Sequence, residues 1–96
     1  MTLQRNDDGD EAGRASESVA LFEDVLARVP QLPMRDQKAV RDMVEGSEWE
    51  LAFEVLCTQL YEWDIGLPPS TLEYLESLRI RFDVDPRYTT VLRGST

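Results

Sequence analysis

The stretch EGSEWELAFEVLCTQLYEWD, residues 45–64, sets a run of apolar side chains between acidic ones. It holds six carboxylates and two tryptophans but no lysine or arginine. On a helical wheel its main apolar residues fall in a sector about 100° wide, which is typical of a helix face that packs on a core. These residues are Trp49, Ala52, Phe53, Leu56, Leu60 and Trp63. Leu51 and Val55 lie off this stripe, so we expect a central helix with two or more neighbours.

Local signals on either side predict where this helix begins and ends. Ser47 and Glu50 form a Ser-x-x-Glu capping box, which is typical of a helix N-terminus. Gly46 suits the C′ position that ends the preceding helix. The segment DIGLPPS, residues 64–70, contains a glycine and two prolines, and these predict the end of the central helix.

Two helices are predicted before the central one. The first covers residues 17–28 with Ser16 as its N-cap, and Pro30 and Pro33 follow its end. Its apolar positions recur at helical spacing and are Val19, Leu21, Phe22, Val25, Leu26 and Val29. The second covers residues 35–45. Its apolar positions are Ala39, Val40, Met43 and Val44.

Two further helices are predicted after the central one. Ser70 and Glu73 repeat the capping box and start the fourth helix. Its apolar face consists of Tyr74, Leu75, Leu78 and Phe82. Asp85 and Pro86 suit the N-cap and N1 positions of a short last helix over residues 86–92. Tyr88, Val91 and Leu92 would dock this helix on the core.

These segments together predict an all-α fold, a small bundle of four helices plus a short C-terminal helix. No segment shows the alternation of a half-buried strand. Residues 16–93 form the predicted single helical domain. Residues 1–15 are rich in Asp, Glu and Gly and bury little apolar surface, so we expect a disordered acidic tail there.

The residue types present argue against catalysis. The chain has no histidine, and its one cysteine, Cys57, has no imidazole to activate it. No glycine-rich phosphate loop and no nucleophile motif occurs. We therefore predict that the protein is not an enzyme, with no catalytic residues, no metal site and no cofactor. Cys57 is expected to be a small core residue.

The hydropathy pattern bears on location. No apolar run approaches the roughly 20 residues that a membrane-spanning helix needs. The first residues lack the apolar segment of a secretory signal, so we expect the cytoplasm. A single cysteine, which cannot form an internal disulfide, agrees with a reducing compartment.

The negative charge is concentrated in one part of the chain. Residues 42–78 contain nine carboxylates and no base, so this window carries the whole net charge of −9. The remainder of the chain is neutral. Such a one-sided field repels nucleic acid and anionic membranes and attracts a basic partner.

The side of the central helix opposite the core stripe is the candidate binding face. Glu50, Glu54 and Tyr61 fall there within about 40° of one another on the wheel. A pair of like charges four residues apart destabilises a helix slightly, and tyrosine is enriched where partners bind. A solvated face with no further role is the alternative. The predicted binding residues are Glu48, Glu50, Glu54, Tyr61, Glu62, Asp64, Glu73 and Glu76.

The segment EGSEWELAFEVLCTQLYEWDIGLPPSTLEYLESL, residues 45–78, also resembles the central block of MafI-family immunity proteins. These are small bacterial proteins encoded beside polymorphic toxins. The resemblance extends over about residues 37–92. Its elements are Gly46, Glu48, Ala52, the Leu56-Cys57 pair, the segment Leu60-Tyr61-Glu62, the loop to Ser70 and the leucine-rich helix after it.

The resemblance implies a non-enzymatic protein that binds a cognate toxin domain in the cytoplasm. Many toxins of this kind are nucleases, and a nuclease needs a basic surface for phosphates. The implied partner is thus a toxin domain with a basic surface, with no nucleic acid and no membrane. The free protein is expected to be a monomer or a weak dimer.

Two other functions fit the same residues. An acidic adaptor or nucleic-acid-mimicking inhibitor would use the acidic window against a DNA-binding regulator. A structural subunit of a larger helical assembly would instead use Leu51 and Val55 as subunit contacts.

Overall fold

The computed structural model describes the backbone of residues 2–94 and the side chains of residues 15–94. Within this part of the chain there are five helices and no strand. They are α1 (Thr2–Ala27), α2 (Met34–Glu45), α3 (Trp49–Glu62), α4 (Pro69–Arg81) and α5 (Arg87–Gly94). The predicted all-α fold, with four helices and a short C-terminal one, is confirmed.

Helix α3 has neighbouring helices on two sides. It packs against α2 on one side and α5 on another, while α1 contacts α2 and α4, and α4 contacts α5. Five of its side chains are fully buried, namely Ala52, Phe53, Leu56, Cys57 and Leu60. The prediction that α3 packs against two or more neighbours is confirmed, and Cys57 is a core residue as expected.

Each other helix contributes a narrower apolar stripe to the same core. The buried members are Phe22, Val25, Leu26 and Val29 from α1 and its end, Val40 and Val44 from α2, Leu75, Leu78 and Phe82 from α4 and its end, and Leu92 from α5. Burial of this apolar surface is the main stabilising contribution to the fold.

Three predicted core residues are substantially exposed. Val19 is 40% exposed because α1 turns Ser18 inward instead. Val91 is 43% exposed, since the short α5 buries Thr89 and Leu92 on its inner side. Trp63 is 47% exposed because it lies just past the end of α3, at the margin of the core.

Helix α1 begins earlier than the sequence predicts. Its backbone is helical from Thr2, so Ser16 lies inside the helix and is not its N-cap. Extension of an established helix adds one hydrogen bond per residue, which favours this longer form. The side chains of residues 1–14 lie outside the described part of the structure. The predicted division between an acidic tail, residues 1–15, and the helical domain therefore stays a prediction.

The two predicted capping boxes are wrong. Helix α3 has Glu48 at its N-cap position and α4 has Pro68, and neither side chain makes a capping hydrogen bond. Ser47 has a φ of 60° and ends α2 instead. Gly46, predicted to occupy that left-handed position, has a φ of −83°. Only the last predicted cap is confirmed, where Asp85 Oδ1 accepts the Arg87 backbone N–H at 2.9 Å.

Candidate interaction surface

The predicted binding residues on α3 are positioned by the burial of its opposite side. Phe53, Leu56 and Leu60 are fully buried, so the helix cannot rotate without exposing them. Glu50 and Tyr61 consequently lie in solvent, and Tyr61 is 50% exposed. Glu54 lies between them along the helix and is half-buried. We call Glu50, Glu54 and Tyr61 the α3 strip.

The other predicted binding residues lie in three separate places. Glu48 lies at the N-cap position of α3, without a capping hydrogen bond from its side chain. Glu62 and Asp64 are exposed at its end. Glu73 and Glu76 are on α4, and α5 contacts both α3 and α4. Of these two, Glu76 contacts α5 through Thr89.

Glu76 is already engaged within the protein. Its carboxylate accepts hydrogen bonds from Arg79 Nη2 at 2.8 Å and from Thr89 Oγ1 at 2.8 Å. Arg93 Nη2 lies 3.9 Å away. The hydrogen bond from Arg79 is the main reason why the pKa of Glu76 is lowered. Glu76 thus connects α4 to α5 and is poorly placed to meet a partner.

The fold brings arginines beside the acidic window. Arg81 lines a groove with Glu48 and Glu50. Arg35 lines another with Glu62. Although residues 42–78 contain no base, the window is therefore bordered by bases from elsewhere in the chain.

None of these arginines neutralises the α3 strip directly. Arg81 pairs with Glu17, on α1, although its side chain also lines the groove with Glu48 and Glu50. Among the described residues no salt bridge within 4 Å involves Glu50 or Glu54. The strip therefore keeps two carboxylates without a salt bridge beside an exposed tyrosine.

The two tryptophans have different environments. Trp49 is half-buried in an aromatic cluster, with its ring centroid 6.4 Å from those of Phe22 and Phe82. Trp63 donates its indole N–H to Asp36 Oδ2 at 2.8 Å, and Gln59 Nε2 donates to Oδ1 at 2.7 Å. Trp63 is thus fixed to α2 through a polar contact that its position on the apolar stripe did not predict.

A groove between α3 and α5 was not predicted from the sequence. It has a volume of about 340 Å³. Its lining residues are Cys57, Thr58, Tyr61, Arg87, Tyr88 and Val91. The exposure of Val91 follows from this groove, since the side chain forms part of its wall. The sequence alone shows only that Cys57 and Tyr61 share one side of the α3 wheel. It does not show that α5 packs there, because the position of α5 is a property of the tertiary structure.

The nucleophilic and metal-ligating side chains can be examined in the described residues. The Cys57 thiol is buried, and burial raises its pKa, so the thiolate is disfavoured. In residues 15–94, no three His, Cys, Asp or Glu side chains converge to hold a metal ion. The arrangement on the surface is suited to binding through carboxylates, an exposed tyrosine and an apolar groove.

Comparison with protein-family models, with curated proteins and with solved structures found no match. None of the helices in the described part of the chain has both the length and the apolar character needed to cross a membrane.

Proposed function

We propose that this protein is an immunity protein that binds and neutralises a cognate bacterial toxin domain with a basic surface. The observation that carries the proposal is the α3 strip. Glu50 and Glu54 are on a helix held rigidly by its buried side, and neither makes a salt bridge among the described residues. The resemblance of residues 45–78 to MafI-family immunity proteins supports the same function.

The proposed mechanism is charge complementarity. A nuclease-type toxin presents lysine and arginine side chains to the phosphates of its substrate. Carboxylates on α3 would occupy those side chains and so block access of the nucleic acid. The net charge of −9 would also steer the two proteins together, which raises the association rate. The cytoplasm is the compartment in which such protection would be needed.

The position of Val55 speaks against a purely structural subunit. Its side chain is half-buried and packs against the core of its own chain, so only part of it could form a subunit contact. Leu51 is 44% exposed and stands among carboxylates, which disfavours an apolar assembly interface. An inhibitor of a basic DNA-binding regulator would use the same α3 strip and is the second candidate.

Co-expression tests the proposal. The toxin domain encoded next to this protein is expected to arrest growth alone, and the protein is expected to restore growth and to form a 1:1 complex. The double variant Glu50→Lys, Glu54→Lys should abolish rescue by reversing charge at the α3 strip.

The matched control is Asp42→Lys, Glu45→Lys, which makes the same charge change on the exposed side of α2. This variant should still restore growth. Equal rescue by both double variants would show that the α3 strip is not the binding face. Failure of the wild-type protein to rescue, together with binding to a purified DNA-binding regulator, would favour the second candidate.

A further inference from the structure

The groove between α3 and α5 combines an apolar floor with exposed walls. Cys57 forms the floor and is 1% exposed. Tyr61 and Val91 form opposite walls and are 50% and 43% exposed. A side chain entering the groove would therefore cover apolar surface from both helices, which is favourable in water.

Arg87 is the cation among the described residues that line this groove, and it interacts with Tyr88 beside it and electrostatically with Glu54 on α3. The guanidinium of Arg87 lies over the Tyr88 ring, 5.1 Å from the centroid, and Nη2 is 3.4 Å from the Tyr88 hydroxyl. The hydrogen bond to Tyr88 is the main reason why the pKa of Arg87 is raised. Arg87 thus stacks on Tyr88, which is another lining residue of the groove.

Two carboxylates precede the α3 lining residues along the helix. Glu54 is one helical turn before Thr58, a lining residue, and its charge helps to raise the pKa of Arg87, another lining residue. Glu50 is one turn nearer the start of α3. Neither makes a salt bridge among the described residues. An apolar slot next to two such carboxylates fits a partner that presents an apolar side chain beside a cationic one.

The same charge pattern disfavours a second copy of this chain as the occupant. A symmetric dimer would place the same surface of each copy against the other. The two α3 strips would then meet with like charge, which costs free energy. The net charge of −9 on each copy adds to this repulsion.

We infer that this groove receives an aromatic or large aliphatic side chain of the toxin domain, with a lysine or arginine beside it on the toxin that meets Glu54. This inference rests on the proposed function. It assigns two steps of binding to two different surfaces. The α3 strip governs the approach of the basic partner, and the groove anchors the complex once it has formed.

Small peptides test the groove without the toxin. N-acetyl-Trp-Arg-amide is titrated into the ¹⁵N-labelled protein and followed by NMR, with N-acetyl-Trp-Glu-amide and N-acetyl-Ala-Arg-amide as comparators. The Trp-Arg peptide should shift the amides of Cys57, Tyr61 and Val91, and bind about tenfold more tightly than either comparator. Shifts elsewhere, or equal binding of all three peptides, would overturn the inference.

Variants then test the groove in the complex. Val91→Asn removes an apolar wall without a change of charge, and Ile80→Asn is its control at a 63% exposed position on α4. Val91→Asn should weaken toxin binding about tenfold through faster dissociation, while Ile80→Asn should not. Thr58→Gln, which extends an exposed side chain into the groove, is the second variant should Val91→Asn fail to fold.

The two arms separate the possible failures. If Val91→Asn and Thr58→Gln both bind the toxin like the wild type, the groove is not the anchor although the proposed function stands. If the wild-type protein does not bind the toxin, the proposed function fails, and the peptide titration still decides whether the groove takes an apolar side chain beside a cation. Dilution-dependent shifts of the groove amides, abolished by Val91→Asn, would identify a second copy as the occupant and overturn the inference.

Discussion

The Asp36 carboxylate joins two helices through both of its oxygens. It is on the first turn of α2 and is only 7% exposed. Gln59 Nε2 donates to one oxygen and Trp63 Nε1 to the other. A buried carboxylate is costly unless hydrogen bonds replace its water, and here two donors from the end of α3 do so. This contact sets how α2 meets α3.

Asp36→Ala is expected to lower the free energy of unfolding by about 1.5–3 kcal/mol, because hydrogen bonds to a charged group contribute about that much. Urea denaturation measures this change. Asp42→Ala on the same helix is the control, since Asp42 is exposed and pairs only with the exposed Lys38. An effect of Asp36→Ala no larger than that of the control would show that the two hydrogen bonds do not stabilise the packing.

At the scale of whole elements, three helices end in the same way. The residues Ser47, Asp64 and Asp83 follow α2, α3 and α4 with φ values of 60°, 50° and 55°. In each case the next N–H bonds back to the carbonyl of the helix's third-last residue, as when Glu48 N–H bonds to Met43 O at 3.0 Å. This is the Schellman arrangement, which satisfies the last carbonyls of a helix. A side chain at such a φ costs free energy that glycine avoids.

Ser47→Gly is therefore expected to stabilise the protein by about 1 kcal/mol, since a left-handed residue with a side chain costs roughly 1–2 kcal/mol. Gly46→Ala tests whether Gly46 is the left-handed residue instead of Ser47. A Cβ at Gly46 would come no closer than 3.5 Å to its neighbours and has an ordinary φ, so the midpoint of thermal unfolding should hold or rise. A large loss from Gly46→Ala would instead place the left-handed residue at Gly46, as the sequence alone predicted.

The connection between α4 and α5 is expected to depend on pH. The Arg79 hydrogen bond lowers the pKa of Glu76 in the folded state below the unfolded value of about 4.3. The stability that results is present above the unfolded pKa and is lost as the pH falls through the lower folded pKa. Glu76→Gln should therefore lose less stability than the wild type between pH 6 and pH 3, as urea denaturation at each pH would measure.

Glu73→Gln is the control for this prediction, because it removes an exposed carboxylate from the same helix. The effect of Glu76→Gln is measured against this variant, which carries the same change of charge. The Glu76 prediction is wrong if both variants and the wild type lose the same stability in acid. The pKa of Glu23 is also lowered, mainly by its hydrogen bond from Arg41, so part of the acid dependence should persist in Glu76→Gln.

At the scale of the whole molecule, charge and shape make different contributions to binding. The net charge of −9 acts over distances of about 10 Å at 0.1 M salt. It therefore affects how fast a basic partner arrives. The groove between α3 and α5 acts only on contact and affects how long the partner stays.

This division predicts opposite kinetic signatures. Glu50→Gln, Glu54→Gln should slow association with the toxin and reduce the dependence of the association rate on salt, because it removes two charges from the α3 strip. Val91→Asn should leave the salt dependence unchanged. Stopped-flow association at several salt concentrations measures both. An unchanged salt dependence in the glutamine variant would remove the α3 strip from the approach of the partner.

Much of this architecture could be predicted from local patterns. The number of helices, the buried side of α3 and the placement of Phe22, Val40 and Leu75 in the core follow from apolar spacing, because a helix buries whichever face is apolar. The concentration of acidic residues in one window is a property of composition and needs no structure. The α3 strip could also be predicted from the sequence, since it is on the side of the helix opposite the apolar stripe.

Other features depend on how distant segments meet, and only the tertiary structure decided them. The helix ends differ from prediction because the direction of the next helix determines which residue turns left-handed, here Ser47 and not Gly46. The partnership of Asp36 with Trp63 and the position of Arg81 beside α3 join residues far apart in the chain. The α3–α5 groove exists because α5 packs beside Cys57 and Tyr61. Periodicity along one helix predicts which face is buried. It does not predict which neighbouring helix packs on that face or how far along the face the contact extends.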